Sequence, residues 1–250
     1  MSKEAGLQVI NGSIRYLDSE WPVVSNLNMT LPYQKWTCIL GRSGCGKTSL
    51  LRYLAGLLDD SVHWQGSLCG VLEKDIKINV AYMAQQDLLM PWLTVIENVC
   101  FSFKFAGQKL SDKTKQQALD LLHKVGLNGY EKNLPHQLSG GMRQRVALAR
   151  TLMQDKPIVL MDEPFSALDA VTRHKLQNLA AELLKDKTVV LITHDPQEAL
   201  RLGEQIYILQ GTPAKALSLM PPEQAIPRQL DGELAVLQQE IIAQLEVDYV

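Results

Sequence analysis

An α/β fold built around a phosphate-binding loop is what this 250-residue sequence predicts, and three observations predict it. Apolar runs at 36–40, 158–162 and 187–193 are nearly continuous rather than alternating, as strands covered on both faces are. The stretch Gly41-Arg42-Ser43-Gly44-Cys45-Gly46-Lys47-Thr48 stands between the first of these runs and an apolar helix opening Ser49-Leu50-Leu51. Asp162 and Glu163 fall at the carboxyl end of the second run, where open α/β sheets place their ligands.

Strand, glycine-rich turn and helix in that order are the setting a phosphate loop requires. Glycine lets the backbone fold back so that several N–H groups converge on a phosphate at the positive end of the helix. Gly41, Ser43, Gly44, Cys45 and Gly46 are the candidate binding residues, and a side chain at Gly46 is expected to obstruct the approach. Lys47 supplies a compact positive charge for the outer phosphates, and the Thr48 hydroxyl is placed to ligate a Mg²⁺ ion bridging them.

Composition narrows the function classes. A hydrophobic content of 46% is enough for a large core, as one domain with an appendage or as two smaller ones. The formal charge of −2 gives no reason to expect a polyanion-binding surface, so nucleic acid is not an expected partner. Cys38, Cys45, Cys69 and Cys100 show neither a close pair nor metal-ligand spacing, which fits a reducing cytosol. Met1-Ser2-Lys3-Glu4 lacks the apolar core of a signal peptide, and no apolar run approaches the ~20 residues that cross a bilayer. Any membrane role is expected to be exercised from outside the lipid.

Along the chain, residues 7–17 and 23–31 alternate apolar and polar side chains and predict an antiparallel layer ahead of the 36–40 strand. Tyr16 closes the first of these strands, where its ring can stack on an adenine or simply pack. The helix from Lys47 is expected to run to about Leu57, with Gly56 suited to its end. Residues 61–80 read as returning strands. The segment from Val80 to Trp92 then ends a strand and enters a loop dense in large apolar residues. Leu89, Met90 and Trp92 there either form an exposed docking patch or fold back onto their own helices. Helical spacing at 94–106 and 111–125, the latter started by Ser111-Asp112 and stopped by Gly126, predicts a helical insert.

Leu138-Ser139-Gly140-Gly141-Met142-Arg143-Gln144-Arg145 leads into a helical run to Met153. Ser139 is a natural N-cap, and Gly140 and Gly141 leave N–H groups uncovered at a positive helix end, which predicts a second phosphate-binding surface. Asp162 would hold the Mg²⁺ through its water shell, while Glu163 would polarise the water that attacks a γ-phosphate. Successive side chains at a strand end point opposite ways, which suits two separate tasks. Ser166-Ala167-Leu168-Asp169 opens a helix expected to reach about Leu184, and His194, after the 187–193 strand, is placed to hydrogen-bond the γ-phosphate or the attacking water. His63, His123, His136 and His174 read as ordinary surface or packing residues. Residues 205–210 are expected to be the last strand. Beyond Pro221, Pro222 and Pro227, Leu234, Leu237, Ile241 and Leu245 recur at helical spacing. The polar face of that helix is acidic and carries no lysine or arginine, so it is expected on this subunit or its twin rather than on lipid.

From Tyr16 to about Gln210 these motifs, in this order, resemble the nucleotide-binding subunits of ABC transporters: the P-loop Gly41 to Thr48, Gln85, the signature Leu138 to Gln144, the 158–162 strand with Glu163, the Asp169 loop and His194. The resemblance implies a P-loop NTPase with a RecA-like core, an antiparallel β layer and a helical subdomain bearing the signature. The cassette would span 1–211, with the helical subdomain at about 94–153 and an extension at 212–250. It further implies ATP and Mg²⁺ as ligands, and two copies meeting head to tail. The P-loop of one copy and Ser139, Gly140 and Gly141 of the other would then enclose each ATP. Gln85 would touch the Mg²⁺ or the water, and Asp169 would join the nucleotide-contacting residues.

In relatives, membrane permease subunits dock near the loop after the glutamine, which favours the docking reading of Leu89 to Trp92. A periplasmic or lipid-anchored solute-binding protein would act indirectly, and the chain would sit peripherally at the cytoplasmic face of the inner membrane. Leu89-Met90-Pro91-Trp92-Leu93-Thr94-Val95 resembles the Leu-Leu-Pro-Trp run of importers for nitrate, sulfonates, taurine and thiamine-related pyrimidines. The sequence departs from its relatives at Met90, a volume-conserving change, and at Gln34-Lys35, where Gly-Glu is usual. The rival readings are a DNA-repair or translation ATPase, which would bring a long coiled-coil insertion or a second cassette that this chain lacks, and a binding module without turnover, which the full set of hydrolytic side chains opposes.

Overall fold

The computed structural model describes residues 5–70, 79–105, 107 and 110–246. Strands β1 (Ala5–Tyr16), β2 (Val24–Pro32) and β4 (Val62–Cys69) form an antiparallel sheet in the order β2-β1-β4. Strands β3 (Trp36–Gly41), β5 (Val80–Met83), β6 (Ile158–Asp162), β7 (Thr188–Ile192), β8 (Gln205–Gln210) and β9 (Lys215–Leu219) form the second sheet, in the order β5-β6-β7-β3-β8-β9. Its pairings are parallel except for the antiparallel β8–β9 hairpin.

Every residue of β3, β6 and β7 is buried, which explains why their sequences do not alternate. The pleat sends neighbouring residues into two different cores. Ile39, Leu160, Val190 and Ile192 pack under the antiparallel sheet with Leu7, Ile14, Leu27 and the helix α1 (Lys47–Leu54). Cys38, Leu40, Met161 and Leu191 face the other way, toward the helices. Those helices are α2 (Val95–Val99), α3 (Phe101–Phe105), α4 (Asp112–Lys124), α5 (Gly140–Leu152), α6 (Ala170–Leu183), α7 (Pro196–Leu202) and α8 (Gly232–Glu246).

Several sequence expectations change in detail. The expected helix over 94–106 divides into α2 and α3 at Cys100. Thr94 caps α2 in a reciprocal box with Glu97, and the buried Asn98 side chain donates to the carbonyls of Met90, Leu93 and Thr94 while accepting from the Met90 N–H. α1 stops at Leu54, three residues early, because Gly56 already lies at φ +72° and leaves Leu57 exposed. Of the strands expected over 61–80, β4 and the start of β5 are present, and 71–78 lie outside the described residues.

The expectation that 205–210 is the last strand is corrected by β9, which pairs with β8 from Gln210↔Lys215 to Ile206↔Leu219. An edge strand with half its side chains in water gives little apolar signal. The division expected near residue 211 thus falls inside a hairpin of the central sheet. α8 packs on its own chain, with Leu234 and Ile241 fully buried and Leu237 and Leu245 against the same core. Arg228, 3% exposed, fastens the segment before α8 by donating to the carbonyls of Leu200 and Gly203 at the end of α7 and to that of Pro222. Among the described residues no helix is long and apolar enough to cross a membrane.

Candidate nucleotide-hydrolysis site

The loop from Gly41 to Thr48 joins β3 to α1 at the carboxyl end of the parallel strands. Gly46 lies at φ +101°, and a Cβ there would meet Val23 and Val24 at 2.7 Å, so the protein wall already demands glycine whatever the ligand. This adds a reason to the obstruction expected from sequence. A Cβ at Gly41 would strike the Leu209 carbonyl and the Cys45 sulfur at 2.7 Å, whereas Gly44, at φ +81°, faces open space. Cys45 is buried, and its N–H donates back to the Arg42 carbonyl at 3.3 Å, closing the turn. Arg42, Ser43 and Gly44 are exposed at the crest.

Lys47 is buried, and its Nζ donates to the carbonyls of Gly41 (2.7 Å) and Arg42 (2.8 Å), so the ammonium is held inside its own loop. The Thr48 hydroxyl donates to Asp162 Oδ2 at 2.7 Å, joining the start of α1 to the end of β6. Burial pushes the Asp162 carboxyl above its usual range and the Glu163 charge adds to this, against the hydrogen bond from Thr48 and the charge of Lys47. Two hard oxygen donors side by side, one a desolvated carboxylate short of positive charge, suit Mg²⁺. Among the described residues no group of three or more His, Cys, Asp or Glu could hold a metal by itself.

Glu163 sits one residue beyond β6 in the left-handed region, φ +49°, with its N–H donating to the Ile192 carbonyl at 2.9 Å. Its Oε2 accepts from Gln85 Nε2 and lies beside His194 Nδ1, each at 3.2 Å. Three side chains assigned from separate stretches of sequence therefore converge on one oxygen atom. The Glu163 side chain is only 17% exposed, while His194 is 64% exposed and faces outward. Tyr16 also reaches this end of the molecule, its hydroxyl sharing a hydrogen bond of 2.9 Å with Ser49 of α1.

The second expected phosphate surface stands apart. Ser139 caps α5 by accepting from the Met142 N–H, with Ser139 and Gly140 exposed and Gly141 half-buried. A Cβ on Gly141 would meet the Ala167 carbonyl at 3.2 Å, so the signature packs close to the loop before α6. Asp169, exposed, caps α6 through the Thr172 N–H. Gln85, Asp87, Gly140, Arg143 and Gln144 line a cleft of about 380 Å³.

Sequence reasoning missed what holds that cleft in shape. Arg143 Nε donates to Asp87 at 2.9 Å, and Arg150 donates to the carbonyls of Asp87 and Leu88, so α5 grips the loop after Gln85. The signal was weak because arginines on a helix read as its solvated face. The apolar patch expected from Leu89, Met90 and Trp92 is corrected: Leu89 is buried in the core and Met90 half-buried, while Trp92 (72%) and Leu88 (54%) are the exposed side chains.

Fold and site together define a P-loop ATPase with an antiparallel layer and a helical subdomain. A family model described as ABC transporter matches residues 24–166. An ABC transporter ATP-binding protein of Haemophilus influenzae is 47% identical over 224 residues, 88% of this chain and 91% of that one. The aliphatic sulfonates import ATP-binding protein SsuB of Bacillus subtilis is 36% identical over 228 residues, 90% of this chain and 87% of its own. A dimeric, post-hydrolysis structure of the ATP-binding cassette MJ0796 with ADP and Pi superposes with a TM-score of 0.76 at 30% identity, covering 87% of this chain and 100% of that one. The chain belongs to the ABC transporter family, as an ATP-binding subunit, and it is an ATPase coupled to transport.

Proposed function

We propose that two copies of this chain close on two ATP molecules and power a bacterial importer for a small solute of the sulfonate kind. The sulfonate part rests on the name of the Bacillus relative and on the segment from Leu89 to Val95; the pairing rests on the dimeric cassette and on the exposed Ser139 and Gly140. Integral membrane permeases would dock near Gln85–Trp92, on Leu88 and Trp92, at the cytoplasmic face of the inner membrane. A solute-binding protein would act through them.

The observation that carries the ATPase chemistry is the meeting of Gln85, Glu163 and His194 at Glu163 Oε2. Glu163 is the general base: it lies beside the loop that receives the γ-phosphate and takes the proton of the attacking water. Gln85 and His194 fix the carboxylate and, on rotating away from it, reach the water or the phosphate. Lys47 exchanges its two carbonyl partners for phosphate oxygens, the backbone of 41–46 and the Thr48 end of α1 cradle them, and Tyr16 stacks on the base. Thr48 and Asp162 would hold Mg²⁺, which when bound neutralises charge on the phosphate oxygens. Ser139, Gly140 and Gly141 of the second copy, with Asp169, complete the enclosure. Phosphate release removes the ligand shared by both copies, so the pair opens.

Glu163→Gln tests this. Turnover should fall by roughly 10²–10⁴-fold while ATP binding persists and a dimer accumulates with ATP on gel filtration. A variant hydrolysing at the parental rate removes Glu163 from the role.

A further inference from the structure

Behind His194 lies a network that the hydrolytic chemistry does not use. Arg173, in the first turn of α6, donates through NH2 to the Leu168 carbonyl at 3.1 Å, and its NH1 pairs with Asp195 Oδ2 at 3.5 Å. Leu168 and Asp169 belong to the loop that faces the second copy in the two-copy reading, and Asp195 follows His194 directly. One guanidinium thus holds both loops. One helical turn further along α6, Gln177 Nε2 donates to Glu198 Oε1 of α7 at 2.9 Å; both side chains are buried. Asp195 is fixed from its own side as well, its N–H donating to Thr193 Oγ1 and its Oδ1 accepting from the Gln197 N–H. Glu163, Ser166, Arg173, His194, Asp195 and Glu198 line a small void of about 20 Å³ between these loops.

We propose that Arg173 is a positioning residue, coupling the Asp169 loop to the His194 loop so that the hydrolytic group in one copy is set by where the second copy holds Asp169. The inference rests on the two-copy reading above. A guanidinium suits the task, because its planar fork serves a carbonyl and a carboxylate at once, which an ammonium does less well. Displacing the Asp169 loop pulls Arg173 and Asp195, turns His194, and changes its contact with Glu163 Oε2.

The test is a double-mutant cycle on ATP hydrolysis by the full-length chain. Arg173→Gln and Asp195→Asn should each lower kcat about tenfold and leave KM for ATP within about twofold, since the ground-state phosphate contacts are untouched. The double variant should fall no further than either single one, because both remove the same link. Arg173→Lys should recover part of the loss. Asp195→Asn keeps the oxygen that caps α7, so it decides the matter even where Arg173→Gln fails to fold. Effects that multiply to about a hundredfold in the double variant, a rise in KM instead of a fall in kcat, or single variants at the parental rate overturn the coupling and leave the ATPase assignment standing. A parental chain without ATPase activity overturns both.

Discussion

The two regions proposed to face phosphate differ in how finished they are. Around the P-loop the charged and polar side chains named for the chemistry are already tied to one another: Lys47 to its own loop, Thr48 to Asp162, and Gln85 and His194 to Glu163. Around Ser139 the helix cap is formed, but Ser139 and Gly140 are exposed and Gly141 is half-buried. A preassembled half and an open half on one chain are what a site shared between two copies requires. The difference teaches where control can lie: chemistry can be poised within the monomer, while under the two-copy proposal permission to react would come from the second copy.

The sharpest way to break this comparison is to block the open half alone. Ser139→Arg puts a long cation where the other copy's phosphates would arrive, and should cut turnover by at least about a hundredfold while ATP binding, followed by calorimetry, stays nearly unchanged. Parental turnover in that variant would make the chain a self-sufficient ATPase. The reverse change, Lys47→Ala, strikes the finished half. ATP affinity should fall roughly 10–100-fold, the worth of one charge-assisted contact, and unchanged affinity would refute the phosphate role. The smallest effect probes the turn that feeds β3. Gln34 holds φ +55°, a position where glycine is at ease, so Gln34→Gly should stabilise the chain by about 0.5–1 kcal/mol in urea unfolding without altering hydrolysis. A loss of stability would show that the N–H of Gln34, which donates to Thr188 Oγ1 at 2.9 Å, is better placed by glutamine.

Much of the finished half was legible because its chemistry is local. The order strand, glycine loop, lysine, threonine fixes backbone and charge within eight residues, and the strand ends at Asp162 and the approach to His194 follow from burial on both faces. Gln34-Lys35 departs from the usual Gly-Glu, and Gln34 takes φ +55°, a conformation that glycine adopts without strain. The edges were less legible. β9 is half in water, and the break of 94–106 at Cys100 has no glycine or proline to announce it. Leu89 and Trp92 sit three residues apart in one apolar loop, yet one is buried and the other exposed, because Asn98, Arg143 and Arg150 decide how that loop lies.

By itself, then, the sequence determined the fold class and the phosphate loop and pointed to Glu163 and His194 at strand ends, since these depend on residues adjacent in the chain or on the period of burial, whereas Gln85 was singled out only by the resemblance of the whole motif order. Only the tertiary structure decided that those three share one oxygen, that Lys47 rests on its own loop, that the last strand lies beyond residue 210 and that Arg173 spans two loops. The widest of these contacts, Gln85 to Glu163, joins residues 78 positions apart, and even the short ones, such as Lys47 to Gly41, are set by packing that a sequence pattern does not specify.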